Sequence, residues 1–489
     1  LKPADRGQAI EKWLAGQSLR PLPWLGLFAL LMAIQISPFW YPTPDATTYL
    51  SMARSIAVAH RLRNLGGAHL GYPPGYPLII SPAFLVSGRP FLVLSLIHWM
   101  LAVIFMAAIY RWFHKLAPAA AVLLTGLTMV NVALWIYYRR TLTEMAFMAA
   151  MMWAAVVLDS ALEADSGYWS AMLTAAGTAL LVVLVSIRET GVLLAAGFAL
   201  AALIAIRAGR LRWSRGLLMA ATMAGPAIAG VVAFTLYDLR TARAAPSAVF
   251  GTHLGGFFDR RLPLVPRAIE GLRLRISEVG RLLVPGMFKA YSGHNQWLHI
   301  DMAIYLVVFA VVTLGWTRLL RRQPEVLAAT APFYFVLYAV WGFDADTRYL
   351  LPLLPLLVAC LWFAIESFSL WRLRFLAVLL AAHLAVALGY WIGVEIPRAR
   401  NCNAQWASVT ALAAALQNGK TMAVATPDVP QCARLMLSFT IDRPVLESTP
   451  ARNSDAKKIV EPRNDPIPAG FQIERTAGPY QLLSRINPD

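Results

Sequence analysis

The chain has 489 residues, 58% of them hydrophobic and 14% charged, with 16 Trp and a formal net charge of +17. That apolar excess excludes an ordinary soluble protein, because apolar runs of about 20 residues recur, each able to cross a hydrocarbon core of roughly 30 Å. Such a charge would suggest nucleic acid in a soluble chain. Here the positive-inside bias and lipid phosphates account for it, and no zinc-finger, P-loop or Rossmann spacing occurs.

Backbone groups cannot stay unpaired in lipid, so the runs are expected to be helices. Eleven spans are predicted, at about 22–40, 91–113, 118–137, 141–159, 168–187, 190–206, 214–239, 301–319, 326–343, 349–369 and 374–396. The first has no small-residue cleavage site behind it and reads as an anchor, not a signal peptide. Segment 78–87 is apolar but too short to cross, so it reads as re-entrant or interfacial. Only Tyr138-Arg139-Arg140 separates the third and fourth spans; losing both as one re-entrant pair leaves the orientation unchanged.

The alternate short loops carry Arg111 and Lys115; Arg207, Arg210, Arg212 and Arg215; Arg318, Arg321 and Arg322; and Arg372 and Arg374. This bias places them, and the N-terminus, in the cytoplasm. An odd number of spans then puts 397–489 outside. The expected fold is an all-α polytopic membrane protein, 1–396, with a small extracytoplasmic α/β domain at 397–489.

Three outer regions are substantial. Segment 41–90 holds a polar-faced helix from Asp45 to about Asn64, then a Pro-Pro-Gly turn. Segment 240–300 contains 266–283, whose arginines Arg267, Arg273, Arg275 and Arg281 alternate with leucines, as in a basic helix lying in the interface against anionic headgroups. In the tail, strands are expected at Thr421–Ala425, Arg443–Glu447, Gly470–Arg475 and Tyr480–Ile486, with a helix at Cys432–Phe439 and a polar linker at 449–468. Cys360 lies in an apolar run and reads as packing. Cys402 and Cys432 would lie outside, where a disulfide between them is one of two equal alternatives to free thiols.

Charge is nearly absent at mid-depth and gathers at the outer helix ends: Asp45, Arg139, Arg140, Glu144, Arg188, Glu189, Asp238, Arg240, Asp344, Asp346 and Arg348. An ion-coupled transporter would place ionisable groups deeper. A polar site under the outer surface suits a lipid-linked phosphate held by guanidiniums, with a carboxylate removing a proton from a hydroxyl nucleophile. Asp45 also suits the N-cap of the helix it opens, a role compatible with that of a base, and Glu144 equally suits a structural pair with Arg139 or Arg140. Arg54 either holds phosphate or faces water. His60, His69, His253, His294 and His299 also fall outside, but without metal-ligand spacing, so the residues themselves call for no metal.

Five short motifs run in order through 45–355: Asp45-Ala46-Thr47-Thr48-Tyr49, Tyr72-Pro73-Pro74-Gly75-Tyr76-Pro77-Leu78, Leu142-Thr143-Glu144, Ile187-Arg188-Glu189-Thr190-Gly191, and Thr347-Arg348-Tyr349-Leu350-Leu351-Pro352. Together they resemble the GT-C glycosyltransferase superfamily, in particular its polyprenyl-phosphate-dependent members akin to protein mannosyltransferases and the lipid A aminoarabinose transferase. Some of these relatives bind a divalent metal. The commoner Asp-Glu pair of the first motif is Asp45-Ala46 here. The resemblance implies an inverting transfer of sugar from a polyprenyl-phosphate donor to a lipid, glycan or protein acceptor outside the inner membrane. It implies Asp45 as base, and Arg348, Arg139, Arg140 and Arg188 at the donor phosphate. Tyr49, Arg54, Tyr72, Tyr76, Glu144, Glu189 and Asp346 would line the cleft. A lipid or glycan transporter, or a non-catalytic assembly subunit, is the alternative.

Overall fold

The structure is a computed structural model that describes residues 3–486, apart from 66, 69–70, 165–166, 245–263, 287–297, 324, 341–346, 367–370, 417–422, 448–457 and 469–470. Helices α1 (Pro3–Ser18) and α2 (Pro21–Ala33) lead to α3 (Pro44–Ala59), the helix that opens with Asp45. A small hairpin, β1 (Arg63–Asn64) with β2 (Gly67–Ala68), and the short α4 (Gly75–Ile80) and α5 (Ala83–Val86) follow. The bundle continues through α6 (Phe91–Leu116), α7 (Ala121–Met129), α8 (Val132–Arg139), α9 (Glu144–Glu163), α10 (Tyr168–Ile187), α11 (Val192–Arg207) and α12 (Trp213–Ala244). It closes with α13 (Leu264–Leu283), α14 (Leu298–Arg322), α15 (Val326–Val340), α16 (Leu354–Ala364) and α17 (Arg372–Tyr390).

Helices occupy all eleven expected places, but among the described residues only seven are long and apolar enough to cross a membrane. The count is eight if α7 and α8, bent by 51° to one another, form one span. The break falls at Asn131, whose extended backbone ends one helix while its side chain caps the next by accepting from Ala133 N–H at 3.0 Å. α2 ends at Ala33, its C-cap Ile34 passing into a turn that precedes Pro38, and Pro352 and Pro355 shorten α16, which is entered through a 3₁₀ turn at Leu351–Leu353. Helix α9 is the core of the bundle: 72% of its apolar stretch is buried, against 17–44% in the other six.

At one end the bundle is tied by charge. Lys115 of α6 meets Glu163 of α9 at 2.6 Å and Glu325, just before α15, at 3.0 Å. The Asp159 carboxylate accepts from the Val326 N–H at 2.8 Å. A polar cavity lies at the opposite end, by the start of α9 and the end of α15.

Helix α13 corrects the sequence reading. Its first half is exposed, with Arg273 pairing to Glu270, but its second half is packed into the protein. Arg275 is 1% exposed and pairs with the fully buried Glu278 at 3.1 Å. Arg281 is buried as well, so neither it nor Arg275 is a headgroup contact. Periodicity could not reveal this, because a basic amphipathic face looks the same whether it meets lipid or a buried carboxylate.

Past α17 the chain stays helical for two more short elements before the sheet begins. A π turn at Trp391–Glu395 joins α17 to α18 (Ile396–Asn403), and α19 (Trp406–Leu416) follows. Strands β3 (Ala423–Ala425), β4 (Val445–Glu447), β5 (Lys458–Pro462), β6 (Phe471–Ala477) and β7 (Tyr480–Arg485) form one sheet in the order β4-β3-β5-β7-β6, with α20 (Gln431–Ile441) between β3 and β4. β3 runs parallel to β4 and β5, while β7 is antiparallel to β5 and β6. Residues 458–462, expected as linker, are the central strand. Its buried Glu461 accepts from the Gln481 side chain at 2.8 Å, which lets a polar residue sit inside the sheet. Cys402 and Cys432 are free thiols hydrogen-bonded to one another.

Candidate active site

Four separate helix ends meet around a cavity of about 300 Å³. Asp45 and Tyr49 come from α3, Tyr72 and Pro73 from the loop after the hairpin, and Leu142, Thr143 and Glu144 from the start of α9. Ile187, Arg188, Glu189 and Thr190 come from the α10–α11 turn, and Leu337, Tyr338, Arg348 and Tyr349 from the end of α15 and the turn beyond it.

Asp45 is not the helix cap. Thr43 takes that role, its hydroxyl accepting from the Ala46 N–H at 3.2 Å, with Pro44 opening the first turn. The Asp45 carboxylate is thereby released into the cavity. There Oδ1 accepts from the Tyr72 hydroxyl at 3.0 Å and Oδ2 from Arg348 at 2.6 Å. Burial first, and then the Asp45 charge, push the Tyr72 hydroxyl far above its ordinary pKa. Tyr72 therefore stays protonated and donates. The same two causes raise Tyr49. Tyr72 is held in place by its loop: Gly71 takes a left-handed φ of 76° and its N–H donates to Asp238 at 2.9 Å. Gly75 packs directly on Ser186 of α10, where a Cβ would meet backbone.

Across the cavity Arg188 pairs with Glu144 at 3.4 Å, and its guanidinium lies 5.6 Å from the Phe147 ring centre. Glu144 is 1% exposed, and its Oε2 has no hydrogen-bond partner among the described residues. A buried carboxylate oxygen of this kind, beside a cavity, is an acceptor for a hydroxyl that enters it. Arg348 also reaches the Tyr349 hydroxyl at 3.4 Å. Behind Tyr338 and Tyr349 stands Arg275, 5.9 and 5.6 Å from their ring centres. Lining carboxylates (Asp45, Glu144, Glu189) and guanidiniums (Arg188, Arg348) thus share one small space, with Asp45 paired to Arg348 and Glu144 to Arg188.

Of the residues expected here, Asp45, Tyr49, Tyr72, Glu144, Arg188, Glu189 and Arg348 line the cavity. Four others do not. Tyr76 is fully buried beneath it, its hydroxyl donating to His98 Nε2 at 2.7 Å while His98 Nδ1 donates to the Tyr138 carbonyl at 2.8 Å. Arg54 turns to Asp442 at 2.9 Å. Arg140 lies over Tyr41 and Tyr137, and Arg139, the last residue of α8, is also absent from the cavity wall. The chain reverses at Thr141, with φ 53°, so that Glu144 enters the cavity and the two arginines do not. Asp346 lies outside the described residues. Among the described residues no three His, Cys, Asp or Glu side chains converge in a metal-binding group. Tyr338, Tyr349 and Thr190 were not singled out from sequence, although the last two lie inside the fourth and fifth motifs.

No family model matches the chain, and no curated protein matches its sequence. Solved structures do match in shape. ArnT from Cupriavidus metallidurans bound to undecaprenyl phosphate superposes with a TM-score of 0.55 at 11% identity, covering 95% of this chain and 97% of that one. Its apo state gives 0.54 at 12% identity, with 95% and 98% covered. The oligosaccharyltransferase AglB from Archaeoglobus fulgidus, with an inhibitory peptide and a dolichol-phosphate, gives 0.51 at 13% identity over 90% of this chain and 69% of that one. The chain therefore has the fold of the GT-C glycosyltransferases.

Proposed function

We propose that this protein is a membrane glycosyltransferase that moves a sugar from a polyprenyl-phosphate donor to an acceptor hydroxyl or phosphate on the outer side of the inner membrane. The observation that carries the reading is Asp45, released from capping and held in a polar cavity by Tyr72 and Arg348. An apolar cleft of about 210 Å³ begins nearby, lined by Phe309, Val312, Trp316, Pro332, Phe335 and Cys360, among others. Ala331 and Phe335 of the cleft and Tyr338 of the cavity fall on one face of α15, and Phe335 is about 4.5 Å along the axis from Tyr338. A ligand with an anionic head and an isoprenoid tail matches both spaces. The basic residues of the short loops lie at the opposite end, which favours an outward-facing cavity. Residues 1–396 would form the spanning unit and 397–489 the outer one.

In the reaction, the acceptor oxygen attacks the anomeric carbon as the carbon–oxygen bond to phosphate breaks. Asp45 takes the acceptor proton, and the configuration inverts. The leaving polyprenyl phosphate gains a negative charge, which Arg348 and Arg188 stabilise. Glu144 Oε2 accepts from a sugar or acceptor hydroxyl. Bound undecaprenyl phosphate and dolichol-phosphate in the fold's other members support the donor class.

The test uses purified protein, radiolabelled polyprenyl-phosphate sugars and a panel of acceptors. Asp45→Asn keeps affinity for undecaprenyl phosphate and loses transfer by roughly 10²–10⁴-fold, the usual contribution of a general base. Wild-type rates in that variant would refute the base assignment.

A further inference from the structure

The helix that opens with Asp45 is gripped from the far end of the chain. Ser51, 1% exposed on the second turn of α3, donates to Asp442 Oδ1 at 2.8 Å and accepts from the Leu65 N–H at 2.7 Å. One turn further on, Arg54 donates to the same Asp442 oxygen at 2.9 Å and to the Phe439 carbonyl at 2.8 Å, with its guanidinium 4.5 Å over the Phe439 ring. Asp442 is the residue that ends α20, held in the left-handed conformation at φ 54°. The segment entering α3 is held as well. The Trp40 N–H donates to Asn403 Oδ1 at 3.3 Å, and Asn403 Nδ2 donates back to the Trp40 carbonyl at 2.8 Å. The Trp40 ring packs on Phe91, Trp406 and Phe439.

We propose that the C-terminal α/β segment is a positioning element for the reaction, with Asp442 fixing the rotation of α3 so that Asp45 meets Tyr72 and Arg348. Asp45 lies between the two grips, six residues before Ser51, or about 9 Å along the helix axis. A helix pinned at Trp40, Ser51 and Arg54 cannot turn about its axis. An unpinned one needs only a modest rotation to carry the carboxylate out of reach of both donors. Misplacement of a reacting group by about 1 Å can cost on the order of 10²-fold in rate. This inference rests on the reading of Asp45 as base.

Asp442→Gly separates the two roles of the residue, because glycine keeps the left-handed backbone and deletes the shared acceptor oxygen. Asp442→Asn restores an oxygen and also tolerates that backbone. In full-length Asp442→Gly, amide exchange is expected to quicken in peptides from 44–59 while the bundle peptides stay unchanged. Affinity for undecaprenyl phosphate stays within about twofold, and turnover with the donor panel falls roughly tenfold or more, with Asp442→Asn recovering most of it. Unchanged exchange in 44–59 with wild-type turnover overturns the proposal. So does a rate loss that asparagine does not recover and that follows a general fall in melting temperature. If Asp45→Asn is inactive while Asp442→Gly is normal, the base stands and the positioning role falls. If Asp45→Asn turns over normally, both fall.

Discussion

Asp45 and Arg348 are 303 positions apart in the sequence and 2.6 Å apart in the fold. In the proposed reaction that pairing would make Arg348 a switchable partner, neutralising the carboxylate before the donor phosphate binds and sharing its donors with the phosphate afterwards. Removing Arg348 therefore acts on the donor more than on the acceptor. Arg348→Ala is expected to weaken undecaprenyl phosphate binding by about tenfold to a hundredfold, the worth of a charge-assisted hydrogen bond of 1.5–3 kcal/mol. Arg348→Lys keeps the charge but not the fork that reaches both Asp45 and Tyr349, so it should recover only part. Unchanged affinity in the alanine variant, read by titration calorimetry, would move the phosphate elsewhere. At this scale the site was partly legible from sequence. A carboxylate or guanidinium at a helix end in an apolar chain needs a reason to be there, which exposed Asp45, Glu144, Arg188 and Arg348. Tyrosines at the same depth have a common packing role at the interface, so Tyr338 and Tyr349 gave no comparable signal.

At the scale of elements, hydropathy located helices well but could not say how each is used. An apolar run with Pro352 and Pro355 inside it becomes a 3₁₀ turn and a short helix rather than a full span. Residues 458–462 hid a central strand because the buried Glu461 reads as polar until its partner Gln481, twenty positions away, is known. Close helix approach was equally hidden. Gly315 of α14 sits against the Cys360 carbonyl of α16, so a Cβ there has backbone in its way. Because that backbone belongs to the helix running on from Arg348, the contact braces the site. Gly315→Ala is expected to destabilise by about 1–3 kcal/mol through overpacking. Gly26→Ala on α2, with open space around it, should be neutral or slightly stabilising. Thermal unfolding in one detergent compares the two, and equal midpoints would show that α14 and α16 do not need this approach.

Across the whole molecule, the two ends of the bundle differ in kind. One carries Lys115, the buried carboxylates Asp159 and Glu325, and the arginines of the short loops; the other carries the cavity and, through Asp442, the C-terminal sheet. Orientation of the whole therefore follows from the side reached by any single residue near the cavity end. Cys432 is suited to this. It is partly exposed, begins the helix that grips α3, and lies among Cys402, Arg398 and Tyr480. The hydrogen bond from Cys402 is the largest cause lowering its thiol from 9.0 to about 7, with Arg398 assisting and burial opposing. Only the thiolate reacts, so alkylation should accelerate as pH rises through about 7 and fade below about 6. Cys402→Ala removes the leading cause and should move that rise upward, toward the ordinary value. With intact cells, first treated with reductant to open any Cys402–Cys432 bond, a membrane-impermeant maleimide should label Cys432 without permeabilisation. Labelling that requires permeabilised cells would place α20, α3 and Asp45 on the cytosolic face, where a polyprenyl-linked sugar presented on the outer leaflet never arrives.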